Sequence, residues 1–143
     1  MTDGPVRWGV TLLRLAVASV FVVHGTTRTA LGTVDDFGVF LAGWGLPAGA
    51  AIAWLLTAVE IAGGLALAVG LAVRPLALWF GAQIATGILM VHGKAGWFVV
   101  GAGRNGAEYS ALIIACLLAV ALTDSVSHGW RVGSTKGAGD GQR

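Results

Sequence analysis

Six ionisable or amide side chains interrupt the apolar stretches of this 143-residue chain: Arg14 and His24 in the first, Glu60 in the second, Gln83 and His92 in the third, Glu108 at the head of the fourth. An ionisable group inside hydrocarbon is costly, so each is a candidate functional residue with a partner to be found. Two histidines and a carboxylate at one depth would supply groups for proton exchange with a quinone, or for axial ligation of a haem. Zinc is conceivable from two His and one Glu, but no tight motif such as HExxH occurs, and no metal site is expected. Taken singly, a histidine at a membrane boundary is more often a solvated interface residue than a ligand. Walker, GxGxxG and GxSxG motifs are absent, and Cys116 stands alone, which excludes an internal disulfide or a CxxC redox pair.

The elements that must carry these groups are membrane helices. The chain is 56% hydrophobic and 11% charged, whereas about a quarter of the residues of a soluble domain are charged. Its apolar stretches, 8–27, 48–73, 75–92 and 106–123, are close to the ~20 residues a helix needs to cross hydrocarbon. The predicted fold is all-α, an integral membrane four-helix bundle over 8–124, with a disordered N-terminus (1–7) and a flexible polar tail (125–143). The first helix is read as ending near His24-Gly25. Over 33–47, Val34, Phe37, Phe40, Leu41 and Trp44 recur at helical spacing behind Thr33, Asp35 and Asp36, which can cap a helix; this predicts a short helix at the membrane surface, with a lipid-dipping loop as the rival. Arg74-Pro75 marks a tight hairpin between the second and third helices. Small residues four apart (Ala66 and Gly70; Gly81 and Ala85; Ala107, Ala111, Ala115 and Ala119) suit close helix packing in lipid, the last set most strongly.

Depth and phase arrange the polar residues. Arg14 and Glu60 both fall in the middle third of the bilayer at ~1.5 Å of rise per residue, and pairing them is the most economical way to tolerate both. The alternative is that Arg14 snorkels to the headgroups. Gln83 and His92 are about 180° opposed on one helix, so both can face inward only if the helix unwinds before His92. His24 and His92 end their helices and Glu108 begins the last one. Alternating helix direction brings these three to one membrane face, in a cavity closed by the segments around Trp44 and Trp97. The basic residues favour cytoplasmic N- and C-termini, with Lys94 and Arg104 outside.

The order and spacing of Arg14, Phe21, His24-Gly25, Gly45-Leu46-Pro47, Glu60 with Gly63-Gly64, Arg74-Pro75, Val91-His92-Gly93, Gly96-Trp97-Phe98 and Asn105-Gly106-Ala107-Glu108-Tyr109 resemble the DoxX family of four-helix bacterial membrane proteins over about residues 10–122. Arg14, His24, Glu60, His92 and Glu108 carry the family pattern, and Arg28 stands where the family often has lysine. The resemblance implies an inner-membrane oxidoreductase subunit that exchanges electrons or protons with quinone in sulfur, thiol or oxidative-stress metabolism. His24, His92 and Glu108 are then the catalytic candidates, and Arg14 and Glu60 the cofactor-binding ones. Quinone is the first cofactor expected and haem the second. The rival reading is a non-enzymatic scaffold recruiting soluble redox or sulfur-transfer proteins. The expected partners are the lipid bilayer, such soluble proteins and a second copy in a homo-oligomer; scattered basic residues exclude nucleic acid.

Overall fold

Apolar residues on every face of a helix suit a lipid surround, and the chain satisfies its backbone there by helix alone. The computed structural model describes residues 3–133, with side chains over 4–123. It comprises α1 (Asp3–Ala30), α2 (Val34–Gly43), α3 (Gly49–Ala68), α4 (Val73–Met90), a 3-10 turn (His92–Ala95) and α5 (Glu108–Gly133), with no strand among the described residues. Three helices are long and apolar enough to cross a membrane: Gly4–Ala30, Gly49–Ala68 and Val73–Met90. The apolar part of α5, Glu108–Thr123, is shorter. The short helix predicted over 33–47 is present as α2.

The chain divides into two compact units, Thr11–Ala72 and Met1–Val10 with Val73–Arg143. In the first unit, α1, α2 and α3 all end in the same way. The residue after the cap is a glycine with positive φ (Gly32 at 67°, Gly45 at 83°, Gly70 at 85°). The next N–H then bonds back to the carbonyl five residues earlier: Thr33 to Arg28, Leu46 to Leu41, Leu71 to Ala66. This is the Schellman stop, which glycine adopts without a Cβ penalty.

These stops correct the predicted boundaries. Helix α1 does not end at His24-Gly25; it runs through Gly25 for another turn, so Arg28 is a helical residue. The connection after α3 is 69–72, and Arg74-Pro75 lies in the first turn of α4, where the missing proline N–H costs nothing. Helix also begins at Asp3 and continues to Gly133, past both expected helix limits; residues 134–143 of the predicted tail lie outside the described residues. Thr33 forms no side-chain cap on α2. Its hydroxyl donates instead to the Arg28 carbonyl at 3.3 Å.

The buried stripe of α3 reads Gly49, Ala53, Thr57, Glu60, Gly63, Gly64 and Leu67. Small residues let backbones approach, and that proximity supplies helix attraction in lipid. A Cβ on Gly64 would lie 2.7 Å from Cγ2 of Val22 and 3.2 Å from the Ala18 carbonyl oxygen of α1. A Cβ on Gly38 of α2 would lie 2.7 Å from Cα of Ala50. In the second unit, α4 packs on α5, with Val73, Ala77, Phe80, Leu117, Val120 and Ala121 buried.

Candidate functional site

Glu60 sits twelve residues into α3, at hydrocarbon depth, and its side chain is only 5% exposed. A carboxylate there needs a partner, and Arg28 provides it. Nη1 of Arg28 donates to Oε2 of Glu60 at 2.9 Å and to Oγ1 of Thr57 at 2.9 Å. The Thr57 hydroxyl in turn donates to the Ala53 carbonyl at 2.8 Å. Helical side chains lean towards the N-terminus, so Arg28, two residues from the end of α1, reaches inward along the helix rather than outward to the headgroups. Gly25, one turn earlier, makes the reach short: a Cβ there would lie 2.7 Å from Cγ1 of Ile61, 3.1 Å from the Thr57 carbonyl oxygen and 3.2 Å from Cβ of Glu60.

Helix α2 covers this cluster. The Phe37 ring lies 4.4 Å from the Arg28 guanidinium carbon, a cation–π contact that satisfies part of a cation without adding an anion. Phe37 stacks on Phe40, and Phe40 meets Trp44 at a tilt, so an aromatic ladder runs along α2. Trp54 of α3 donates to Oδ1 of Asp35 at 3.1 Å and ties α2 down from the other side. The Arg28 side chain keeps 17% exposure. Its Nε and Nη2 donors take no hydrogen-bond partner among the described residues, so the guanidinium offers an open edge beside a neutral, ion-paired centre.

Arg14 is not the partner of Glu60. Its guanidinium lies 3.4–3.6 Å from where a Cβ on Gly70 would stand, level with the C-terminal end of α3 and roughly 15 Å along that helix from Glu60. The negative macrodipole end found there favours a cation. Its Nε is buried without a hydrogen-bond partner. The expected Arg14 to Glu60 pair therefore gives way to Arg28 to Glu60, because α1 is a turn longer than its sequence suggests and the antiparallel register shifts with it.

The remaining candidates fall in different units. His24 is exposed on α1 in the first unit. His92 and Glu108 belong to the second, both half-buried, at the end of α4 and the start of α5. Helix α4 does unwind before His92, which begins the 3-10 turn, and Nδ1 of His92 bonds to the Asn105 carbonyl at 2.9 Å. Gln83 is half-buried on α4. Backbone bonds from Gly106 to Phe98, Ala107 to Gly96 and Glu108 to Trp97, at 3.0–3.1 Å, close the loop that leads into α5. Among the described residues no three His, Cys, Asp or Glu side chains gather to hold a metal ion. Sequence reasoning missed Thr57 and the role of Arg28; the available signal was a Thr three residues before the membrane glutamate and a Gly three residues before an arginine.

A model of the DoxX family matches residues 9–93, a range that includes Arg14, His24, Arg28, Glu60 and His92 and stops short of Glu108. A protein of Bacillus subtilis (strain 168) described as "Putative oxidoreductase CatD" is 30% identical over 119 residues, covering 82% of this chain and 80% of that protein. No solved structure matches. With three helices of membrane-spanning length and a family match that runs from the first turns of α1 to the 3-10 turn, this membrane protein belongs to the DoxX family.

Proposed function

We propose that this chain is a membrane oxidoreductase component that works with quinone, and that Arg28, Glu60 and Thr57 form the place where a quinone oxygen is received. The observation that carries the reading is the 2.9 Å Arg28 to Glu60 pair with its open guanidinium edge. The name of the Bacillus subtilis relative supports redox chemistry. The paired charges cancel, which favours a neutral carbonyl oxygen over an anionic substrate; a charged ligand would have to be desolvated against a centre with no net charge. Arg28 donates to and orients the oxygen, Phe37 walls the site with an aromatic face, and the Glu60 carboxylate can hold or release the proton that accompanies electron transfer. A quinone supplies two-electron, two-proton chemistry, with the electrons drawn from a reduced sulfur or thiol donor on a soluble partner. His24, within α1, and His92 and Glu108, at the ends of their elements, are proposed as proton carriers.

The test uses the purified chain in lipid nanodiscs and a short-chain ubiquinone analogue. Arg28→Lys keeps the ion pair but removes the planar fork, and it should weaken binding roughly tenfold to a hundredfold, the worth of a hydrogen bond from a charged donor. Unchanged binding in Arg28→Lys removes Arg28 from the site. No quinone binding by the wild-type chain, with soluble proteins co-purifying, turns the assignment to a membrane scaffold.

We further propose α5 as a fourth span, with cytoplasmic termini in a bacterial inner membrane, supported by the distribution of basic residues. In a Cys116→Ser background, a cysteine at Lys94 should react with an impermeant maleimide on intact cells. Reaction only after permeabilisation would invert the topology.

A further inference from the structure

Away from the Arg28 to Glu60 cluster, the loop between the 3-10 turn and α5 has a built shape of its own. Backbone bonds between 96–98 and 106–108 close its base, and the His92 ring fastens Asn105. Gly106 is the keystone: a Cβ there would run into the carbonyls of Trp97 and Phe98. Beyond this base, Val99, Val100, Gly101, Gly103 and Arg104 line a half-open hollow of about 350 Å³. Trp97, Phe98 and Val100 are exposed around it.

Charge and polarity in the hollow point one way. No Asp or Glu occurs between Glu60 and Glu108, while Lys94 and Arg104 both lie in or beside the loop. Arg104 is exposed and takes no salt-bridge partner among the described residues. The other walls are apolar or glycine backbone. A guanidinium at one side of an apolar hollow, flanked by exposed aromatics of the type that settle at the headgroup level, matches a molecule with a phosphate at one end and hydrocarbon at the other. We propose that this loop is a seat for the phosphate of an anionic phospholipid, held by Arg104 and backed by Val99 and Val100. A free phosphate would gain from Arg104 alone and leave the valine walls and the exposed aromatics without a partner; the lipid uses all of them.

The test is lipid retention by the intact chain, measured by native mass spectrometry after exchange into mixed phosphatidylglycerol and phosphatidylcholine nanodiscs and mild detergent release. The wild-type chain should retain phosphatidylglycerol in preference to phosphatidylcholine. Arg104→Gln should reduce that preference roughly fivefold, the effect of about 1 kcal/mol for one basic residue at an anionic surface, while Arg104→Lys should keep most of it. Helix content by circular dichroism in both variants separates loss of lipid from loss of fold. Equal phosphatidylglycerol retention by wild type and Arg104→Gln overturns the seat. Displacement of the retained lipid by millimolar inorganic phosphate overturns the lipid assignment in favour of a free-phosphate site. Neither result bears on Arg28 or on quinone, so the seat stands or falls independently of the proposed redox function.

Discussion

Glu60→Gln and Arg28→Leu should each destabilise the first unit by about 3–5 kcal/mol, because each strands one member of a buried ion pair. The Glu60 side chain is 5% exposed and its Oε2 lies 2.9 Å from Nη1 of Arg28. Without the carboxylate the guanidinium keeps Phe37 and Thr57 but loses its counter-charge. The cation–π contact offsets only about 0.5–2 kcal/mol of that loss. Without the guanidinium, the carboxylate remains at hydrocarbon depth with its main cationic partner gone. The double variant should recover part of the loss, since no lone charge remains. Unfolding in mixed micelles with increasing denaturing detergent reads all four proteins on one scale. Additive losses would show that the two side chains are not energetically coupled, whatever their separation. An Arg14→Leu variant offers the contrast: it should not couple to Glu60→Gln, because Arg14 lies at the other end of α3, against Gly70.

Gly25→Leu should damage the first unit strongly although it alters no charge. The glycine is buried, and even a methyl group would meet Ile61 at 2.7 Å and the Thr57 carbonyl oxygen at 3.1 Å. The isoleucine can turn aside; the carbonyl belongs to the α3 backbone and cannot move without moving the helix. Overpacking of this kind costs about 1–3 kcal/mol. It also widens the gap that Arg28 must cross to Glu60, so stability and quinone binding should fall together. Gly9→Leu is the matched control. Gly9 is exposed on the same helix with nothing within 4 Å of its would-be Cβ, and the change there should be neutral or slightly stabilising, since leucine is the better helix former. Similar losses from both variants would mean that helix propensity along α1, rather than the α1 to α3 contact, accounts for the Gly25 effect.

Much of this architecture is legible in the sequence, for reasons that particular residues make clear. Three apolar stretches of spanning length need only counting. The short helix α2 announces itself through Val34, Phe37, Leu41 and Trp44, whose spacing fits no strand. The unwinding before His92 is only a condition in the sequence: helical phase requires it if Gln83 and His92 are both to face inward. The ion pair is harder, because one sequence cannot distinguish a glycine that stops a helix from one that lets a second helix approach. Gly25 and Gly32 look alike there; the structure makes the first a contact and the second the Schellman stop. Misplacing that end by a turn leaves Arg28 in a loop and makes Arg14 the nearest arginine to Glu60. The alanine series on α5 misleads for a related reason. Ala115 and Ala119 are exposed, whereas Leu117, Val120 and Ala121 are buried, since small residues fit a lipid-facing side as readily as a packed one.

The 32 residues that separate Arg28 from Glu60 also set an order of events at the ribosome. Helix α1 emerges first and carries its guanidinium near its trailing end, where water and headgroups can still solvate it. Helix α2, ten residues long, spans only about 15 Å and is too short to cross, so it must wait at the surface. Only when most of α3 has left the exit tunnel does a carboxylate arrive to neutralise the arginine. Membrane entry of the first unit thus becomes a cooperative step: α1 can settle to its final depth only as α3 comes in beside it. A nascent chain truncated before Glu60 should leave Arg28 reactive from the aqueous side, and one extended past Gly70 should shield it.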